Sequence, residues 1–114
     1  LVLPEIAEAE SNARLDLANQ ILPDNIIKGD VWPTGEDWFK FDLTQPGTII
    51  AQMDIGTGSA DLKLYSPNET EILSKRVSEV GMVHHTTSDM GEYYLLIGDG
   101  SVSRLEYELI IDIV

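Results

Sequence analysis

From residue 25 onward the sequence alternates between apolar and polar residues, and turn residues interrupt the alternation at short intervals. A period of two is that of a β-strand with one buried face, because successive side chains of an extended chain point to opposite sides. The pattern is clearest over residues 37–43, 47–55, 61–65, 91–97 and 105–113. No segment with the period of a helix lies among these runs, so the pattern predicts an all-β fold.

Residues typical of turns separate the runs and divide the chain into about eight short strands. Three weaker strands fit residues 25–32, 71–76 and 81–87. The glycine-rich segment Gly56–Ser59 is interpreted as a turn, because it lacks the lysine and the following helix of a phosphate-binding loop. The prediction is an antiparallel β-sandwich.

The first 25 residues differ in character, because they contain neither glycine nor an aromatic residue. Ile6, Ala9, Ala13 and Leu17 recur at helical spacing, which favours a short helix within residues 13–20. Residues 1–7 are interpreted as a linker arriving from an upstream domain, and residues 8–114 as a single domain. The chain begins with Leu, which is expected of a processed product or of a piece of a longer protein.

The acidic stretch at residues 5–12 can be interpreted in two ways. Its Ala and Glu residues favour a helix. Glu8, Glu10 and Asn12, however, are spaced two apart, so an extended chain would point three oxygen-bearing side chains to one side. Glu36 and Asp37 add carboxylates just before a strand. Ca²⁺ takes six to eight oxygen ligands, so these five residues form a candidate calcium site, although acidic clusters also arise by chance in so acidic a chain.

The charge of the chain limits its partners. Twenty acidic residues against seven basic ones give a formal charge of −13, and a field of that sign repels nucleic acid and anionic membranes. The same acidity could instead keep a secreted or salt-adapted protein soluble. No window is long enough to insert into a membrane, and the absence of cysteine excludes disulfides and thiolate nucleophiles.

The residues that could perform catalysis do not form a recognisable pattern. His84 and His85 are adjacent on a predicted strand, so they should point to opposite faces and cannot act together. No serine lies in a nucleophile-elbow motif, and no metalloprotease motif is present. A pair of carboxylates could hydrolyse a glycoside, but so acidic a chain supplies such pairs without specificity. The chain is therefore predicted not to be an enzyme.

Eight short motifs occur in an order that resembles the bacterial pre-peptidase C-terminal domain, the family that includes the collagen-binding domains of clostridial collagenases. The resemblance covers about residues 8–113 and rests on the following segments: Glu8-Ala9-Glu10-Ser11-Asn12, Ala18-Asn19, Gly29-Asp30-Val31, Asp37-Trp38-Phe39-Lys40-Phe41, Pro46-Gly47, Ala60-Asp61-Leu62-Lys63-Leu64-Tyr65, Gly91-Glu92-Tyr93-Tyr94-Leu95-Leu96-Ile97 and Tyr107-Glu108-Leu109-Ile110-Ile111.

The resemblance implies a jelly-roll-like β-sandwich that is a non-catalytic accessory domain of a secreted or cell-surface bacterial enzyme, most often a peptidase. Its partners would be an upstream catalytic domain in the same polypeptide and an insoluble protein or polysaccharide substrate. Such domains aid secretion, stability or substrate attachment, and many are cleaved off after export. The alternative is a structural or chaperone-like domain with no ligand of its own.

The resemblance also bears on the candidate calcium site. Glu8, Glu10, Asn12 and Asp37 stand at positions that match those of calcium-binding members, in which metal binding accompanies a change of the N-terminal segment from helix to strand. The sequence departs from the family at Ala13, where calcium binders often have Asp or Asn. It departs again at Gly35, where they have an acidic residue, although Glu36 is adjacent.

In the family, collagen is recognised by tyrosines displayed on one face of a sheet. The outward-facing candidates here are Tyr94, Leu96 and Trp38. They form a thin aromatic surface, and exposed aromatic side chains can anchor a ligand but more often simply cover a sheet. These three residues are the predicted ligand surface, and the sequence does not favour collagen as the ligand.

Overall fold

Eight β-strands make up most of the described part of the chain, which comprises residues 5–7, 14–31, 35–98 and 105–114 of this computed structural model. The strands are β1 (Glu5–Ala7), β2 (Asn19–Gln20), β3 (Ile26–Val31), β4 (Glu36–Leu43), β5 (Gly47–Tyr65), β6 (Glu71–Thr87), β7 (Gly91–Gly98) and β8 (Leu105–Ile113).

Helical structure within the described residues is limited to a single 3-10 turn at Leu15–Leu17. The turn lies inside the segment 13–20 that the sequence predicted as a short helix. None of the helices in the described residues is long and apolar enough to cross a membrane.

Hydrogen bonds join the strands in the order β1-β3-β8-β5-β7-β4-β2, and β6 pairs with β5. Most neighbours are antiparallel, while β1 adds to β3 and β2 adds to β4 in parallel. β1 lies within the segment 1–7 that the sequence predicted as a linker. The described strands confirm the predicted all-β fold, in which a mixed, mainly antiparallel sheet curls so that its two halves face each other.

The curl depends on β5, which takes part in both halves of the sheet. Its first part, Ile49–Asp54, pairs with β8, and its last part, Asp61–Tyr65, pairs with β7. β6 pairs with both parts from the other side. Because one continuous hairpin belongs to both halves, the two halves are joined through the backbones of β5 and β6.

The glycine-rich segment Gly56–Ser59, predicted as a turn, is a bend within β5, and that part of the prediction was wrong. Gly56 and Gly58 have φ values of 80° and 93°, which glycine adopts without steric cost. Between Asp54 and Ser59, β5 contributes four residues where β6 contributes only Glu79. The strand therefore bends and continues with the same partner instead of reversing. Residues 71–76 and 81–87 are likewise parts of one strand, β6.

The apolar side of each alternating run packs into one core between the two halves. Phe39 and Phe41 are completely buried, and the ring of Phe41 stacks on Tyr93 with centroids 6.1 Å apart. Phe39 meets the edge of Tyr107 at 6.4 Å. This second contact joins β4 to β8, which share no backbone pairing, so it spans the interior between the facing halves.

Gly81 permits β6 to bend at the same level as β5. An added Cβ at Gly81 would lie 2.7 Å from Cγ2 of Val77, which is too close for two carbon atoms that are not bonded to each other. Val77 is 1 % exposed and belongs to the core. The absence of a side chain at Gly81 is what allows Val77 to be buried on the inside of the bend.

We expect the substitution Gly81→Ala to lower the free energy of unfolding by about 1–3 kcal/mol, because it overpacks a closed site. Urea unfolding measures the effect. Val77→Ala should restore part of the loss, so that the double variant is more stable than the sum of the single effects predicts by at least about 0.5 kcal/mol. The exposed Ser78→Ala on the same strand is the control and should change stability by less than about 0.5 kcal/mol. Additive effects would show that the two sites are not in contact.

Candidate functional site

Asp37 is the only buried charged residue within the described part of the chain, and a tyrosine from the facing half holds it. It follows the inward parity of β4 and is 7 % exposed. Its Oδ2 accepts a hydrogen bond of 2.7 Å from the hydroxyl of Tyr107 on β8, which is itself 3 % exposed. A buried carboxylate requires such donors, since its desolvation is otherwise costly. The bond therefore orients the Asp37 side chain.

Glu36 lies on the opposite face of the same strand. Its side chain is exposed, and its Oε1 accepts a hydrogen bond of 3.3 Å from the indole nitrogen of Trp38. Neighbouring residues of a strand point to opposite sides, so the structure separates the carboxylates of Glu36 and Asp37. The sequence predicted both residues to lie just before a strand, but β4 begins at Glu36, so the alternation of the strand separates them.

The predicted calcium site can be located only in part. Glu8, Glu10 and Asn12 lie outside the described residues. Within the described ranges no three histidine or acidic side chains converge on a point where they could hold a metal ion. Asp37, with its carboxylate already oriented, and Glu36 are thus the only two of the five predicted ligands that the structure places, and the calcium site stays a prediction.

The three residues of the predicted ligand surface do lie on one outer face, formed by β4, β7 and the last part of β5. Trp38 is directly opposite Leu96 in the β4–β7 ladder, and Tyr94 lies one row away, opposite Lys40. Trp38 is 8 % exposed and Leu96 is 5 % exposed, however, whereas Tyr94 is half-buried. The accessible aromatic surface is therefore smaller than the sequence indicates.

Tyr65 is a member of this face that the sequence analysis missed. It stands opposite Tyr94 in the β5–β7 ladder, and its ring lies 5.1 Å from that of Trp38. The signal was present in the sequence, because the alternation over residues 61–65 puts Tyr65 on the outward side of its strand.

Both tyrosines of this face remain neutral hydrogen-bond donors at physiological pH. Burial raises the pKa of Tyr65, an effect that Lys63 opposes and that Glu71 and Glu36 increase. Burial also raises the pKa of Tyr94, and so does its hydrogen bond of 3.2 Å to Oε1 of Glu92. Each hydroxyl already donates its proton to a neighbouring carboxylate, Glu92 for Tyr94 and Glu71 for Tyr65, so the face presents hydroxyl oxygens as acceptors beside apolar rings.

The two histidines point to opposite faces of β6, as the sequence predicted. His84 is exposed and lies opposite Ile50, while His85 is half-buried and lies opposite the core residue Ile49. Because their side chains diverge, they cannot serve as a joint acid and base on one substrate.

An open groove of about 520 Å³ lies at the end of the sheet where β2, the loop after β4 and the C-terminal residues meet. Its polar side chains are amides, a hydroxyl and one carboxylate, and apolar residues supply the rest. The lining residues are Gln20, Ile21, Leu22, Pro23, Asp42, Leu43, Thr44, Gln45, Pro46, Ile113 and Val114. This set contains no base positioned beside a nucleophile.

Comparison with known proteins gave matches only among solved structures. No family model and no curated sequence matches the chain. The pre-peptidase C-terminal domain of a collagenase from Bacillus anthracis superposes with a TM-score of 0.70 at 19 % identity, over 83 % of this chain and 94 % of that domain. In fold, the chain resembles a pre-peptidase C-terminal domain. This confirms, for the fold, the resemblance that the eight sequence motifs indicated.

Other solved structures share the fold at similar sequence distance. A mitogen derived from Yersinia pseudotuberculosis matches with a TM-score of 0.67 and 15 % identity, over 82 % of this chain and 88 % of the mitogen. The PliG protein of Aeromonas hydrophila, a periplasmic inhibitor of g-type lysozyme, matches with a TM-score of 0.58 and 16 % identity, over 85 % and 96 % of the two chains. At such identities the likeness establishes the fold, and one fold supports several functions.

We expect Tyr107→Phe to lower the free energy of unfolding by about 1–3 kcal/mol, because it removes a donor from a buried carboxylate. Tyr94→Phe is the matched control, since its hydroxyl donates to the part-buried carboxylate of Glu92 and not to a buried one, and it should cost less than Tyr107→Phe. Urea unfolding of Tyr107→Phe, Asp37→Ala and the double variant gives the coupling between the two side chains. A coupling energy near zero would contradict the assigned hydrogen bond.

Proposed function

We propose that the chain is a non-catalytic accessory domain of a secreted or cell-surface bacterial enzyme, and that this enzyme is a peptidase. The observation that carries the proposal is the likeness in fold to the pre-peptidase C-terminal domain of a collagenase, which extends over 94 % of that domain. The ordered motif series supports it, and so does a second fold relative from the periplasm. The catalytic domain would lie upstream in the same polypeptide.

The role of such a domain would be to aid secretion and stability or to attach the enzyme to an insoluble protein or polysaccharide. The face that carries Tyr65, Tyr94 and Trp38 is the part of the surface that would serve attachment in this proposal, because its hydroxyls and rings are adjacent. Non-catalytic action is consistent with the divergent orientation of His84 and His85.

We further propose that Ca²⁺ stabilises the domain through Glu8, Glu10, Asn12, Glu36 and Asp37. All five supply oxygen atoms, the donors that Ca²⁺ prefers, and a chain of charge −13 attracts divalent cations. Asp37 would contribute a carboxylate that the Tyr107 hydrogen bond already orients. Glu36 and Asp37 point to opposite sides of β4. Their two carboxylates would therefore not reach one ion from the same side of the strand.

Adding Ca²⁺ should raise the free energy of unfolding and the melting temperature. Calcium modules outside the cell bind with Kd values of about 10⁻⁴–10⁻³ M, and a ligand present at about 100 times its Kd stabilises by about 2.7 kcal/mol. Thermal unfolding in Ca²⁺, in Mg²⁺ and in chelator measures the effect. Asp37→Asn should abolish the calcium-dependent shift. Asp42→Asn removes one charge from the exposed side of the same strand and should retain the shift. Equal melting temperatures in Ca²⁺ and chelator would refute calcium stabilisation.

The accessory role is tested in the full-length enzyme that contains this domain. Deleting residues 8–114 should reduce the amount of secreted enzyme or its binding to insoluble substrate, while the activity on a small soluble substrate per molecule of folded enzyme stays unchanged. Co-sedimentation of the isolated domain with collagen, other insoluble proteins and polysaccharides identifies the substrate. Unchanged secretion together with no binding to any of these materials would contradict the role.

A further inference from the structure

The outer face formed by β4, β7 and the last part of β5 continues onto β2. Four side chains with polar ends stand directly opposite one another across these four strands, and we call them the cross-strand row: Gln20, Lys40, Tyr94 and Tyr65. Gln20 is exposed, and the other three are half-buried. Neighbouring strands lie about 4.8 Å apart, so the row extends over about 14 Å.

Gln20 connects the cross-strand row to the open groove at the end of the sheet, because it also lines that groove. The groove adds a hydroxyl from Thr44, an amide from Gln45 and a carboxylate from Asp42. Asp42 lies on the exposed side of β4, two residues after Lys40. The row and the groove therefore form one continuous path of polar groups across the surface.

The cross-strand row offers both donors and acceptors of hydrogen bonds. The Tyr94 hydroxyl donates to Glu92, and the Tyr65 hydroxyl donates to Glu71, so both hydroxyl oxygens remain acceptors. Lys40 supplies donors, because its ammonium carries three N–H groups. None of the ion pairs between described residues involves Lys40, so these donors are available to a ligand.

Gln20 extends the row with an acceptor. Its amide nitrogen is directed towards the backbone, where it donates to the carbonyl oxygens of Ile21 and Lys40 at 3.4 Å each. These two contacts fix the orientation of the amide group and leave its oxygen, Oε1, to accept a hydrogen bond from a ligand.

The spacing and the charge of this surface limit the class of ligand. An extended peptide laid along the row advances by about 3.3 Å per residue and points alternate side chains away from the sheet, so its side chains do not keep step with the strands. One sugar unit of an extended polysaccharide is nearly as long as the separation of two strands, and its hydroxyls both donate and accept. An anionic polysaccharide is repelled by a chain of charge −13.

We propose that the cross-strand row and the groove bind a neutral polysaccharide whose chain runs across the strands. Lys40 donates hydrogen bonds to sugar hydroxyls, and the tyrosine oxygens accept them. The rings of Tyr65 and Tyr94 supply apolar surface for the C–H groups of the sugar rings, and Trp38 supports Tyr65 at a centroid distance of 5.1 Å. This inference rests on the proposed attachment role and narrows its ligand to one class of polymer.

Native electrophoresis of the folded domain tests the ligand class directly. Gels that contain hydroxyethylcellulose, glucomannan or soluble starch are the probes, and at least one of the three should retard the domain. Gels that contain polygalacturonate or gelatin should not retard it. Calorimetric titration with the retarding polysaccharide should give an affinity that does not fall as salt is added, because screening does not weaken binding of an uncharged ligand.

Substitutions in the row test the role of its residues. Lys40→Ala should weaken binding by about tenfold, which corresponds to about 1.4 kcal/mol. Lys40→Arg retains a charged donor and should restore most of the affinity. Gln20→Ala should also weaken binding, because it removes the acceptor that joins the row to the groove.

Matched variants elsewhere on the surface control for general effects. Lys28→Ala removes an exposed lysine from β3, and Gln52→Ala removes an exposed glutamine from β5. Each should change the affinity by less than about twofold, or about 0.4 kcal/mol. Circular dichroism verifies that every variant is folded.

The possible results separate this inference from the attachment role on which it rests. Binding to gelatin or to collagen, without binding to a neutral polysaccharide, would overturn the polysaccharide assignment and leave the attachment role in place. Binding to none of these materials would overturn both. A preference for polygalacturonate, or equal losses of affinity in the row variants and the control variants, would also overturn the proposed site.

Discussion

Continuity of the β5–β6 hairpin is the constraint on which the rest of the structure depends. β5 pairs first with β8 and then with β7, and β6 follows it through the bend. The two halves of the sheet are therefore parts of one ladder, and their facing sides enclose the core. Gly56 and Gly58 supply the backbone conformations of the bend, and Gly81 supplies the space inside it. Without the bend, the hairpin would lie in only one half of the sheet, and its apolar side could not contribute to both walls of the core.

The hydrogen bond between Tyr107 and Asp37 connects the two facing halves at a second place. It joins β8 to β4, which lie on opposite sides of the core. Phe39 and Tyr107 meet along the same path, so a polar contact and an aromatic contact act together. A buried carboxylate is costly unless it is held in this way. The position of Asp37 therefore depends on correct closure of the sandwich. Any ligand that Asp37 contacts would depend on that closure as well.

The two outer faces divide the surface of the domain into chemically different parts. One face carries rings and tyrosine hydroxyls, and several of its large side chains are already covered by their neighbours. The other combines like-charged cross-strand pairs with exposed aliphatic side chains. A sandwich needs its inner faces for stability, so its outer faces are free to vary. This freedom explains how one fold is shared by a collagenase domain, a mitogen and a lysozyme inhibitor at 15–19 % identity.

The sequence by itself determined the fold class, the inward side of the clearest alternating runs and the divergence of His84 and His85, because all of these follow from a period of two within a strand. It did not predict β1 and β2, which are three and two residues long and too short to show any period. Tertiary structure alone decided that Gly56–Ser59 bends a continuous strand, that Tyr107 holds Asp37, and that Trp38 is covered. Each of these outcomes depends on residues that are distant in sequence, and alternation within one segment carries no information about which segments will face each other.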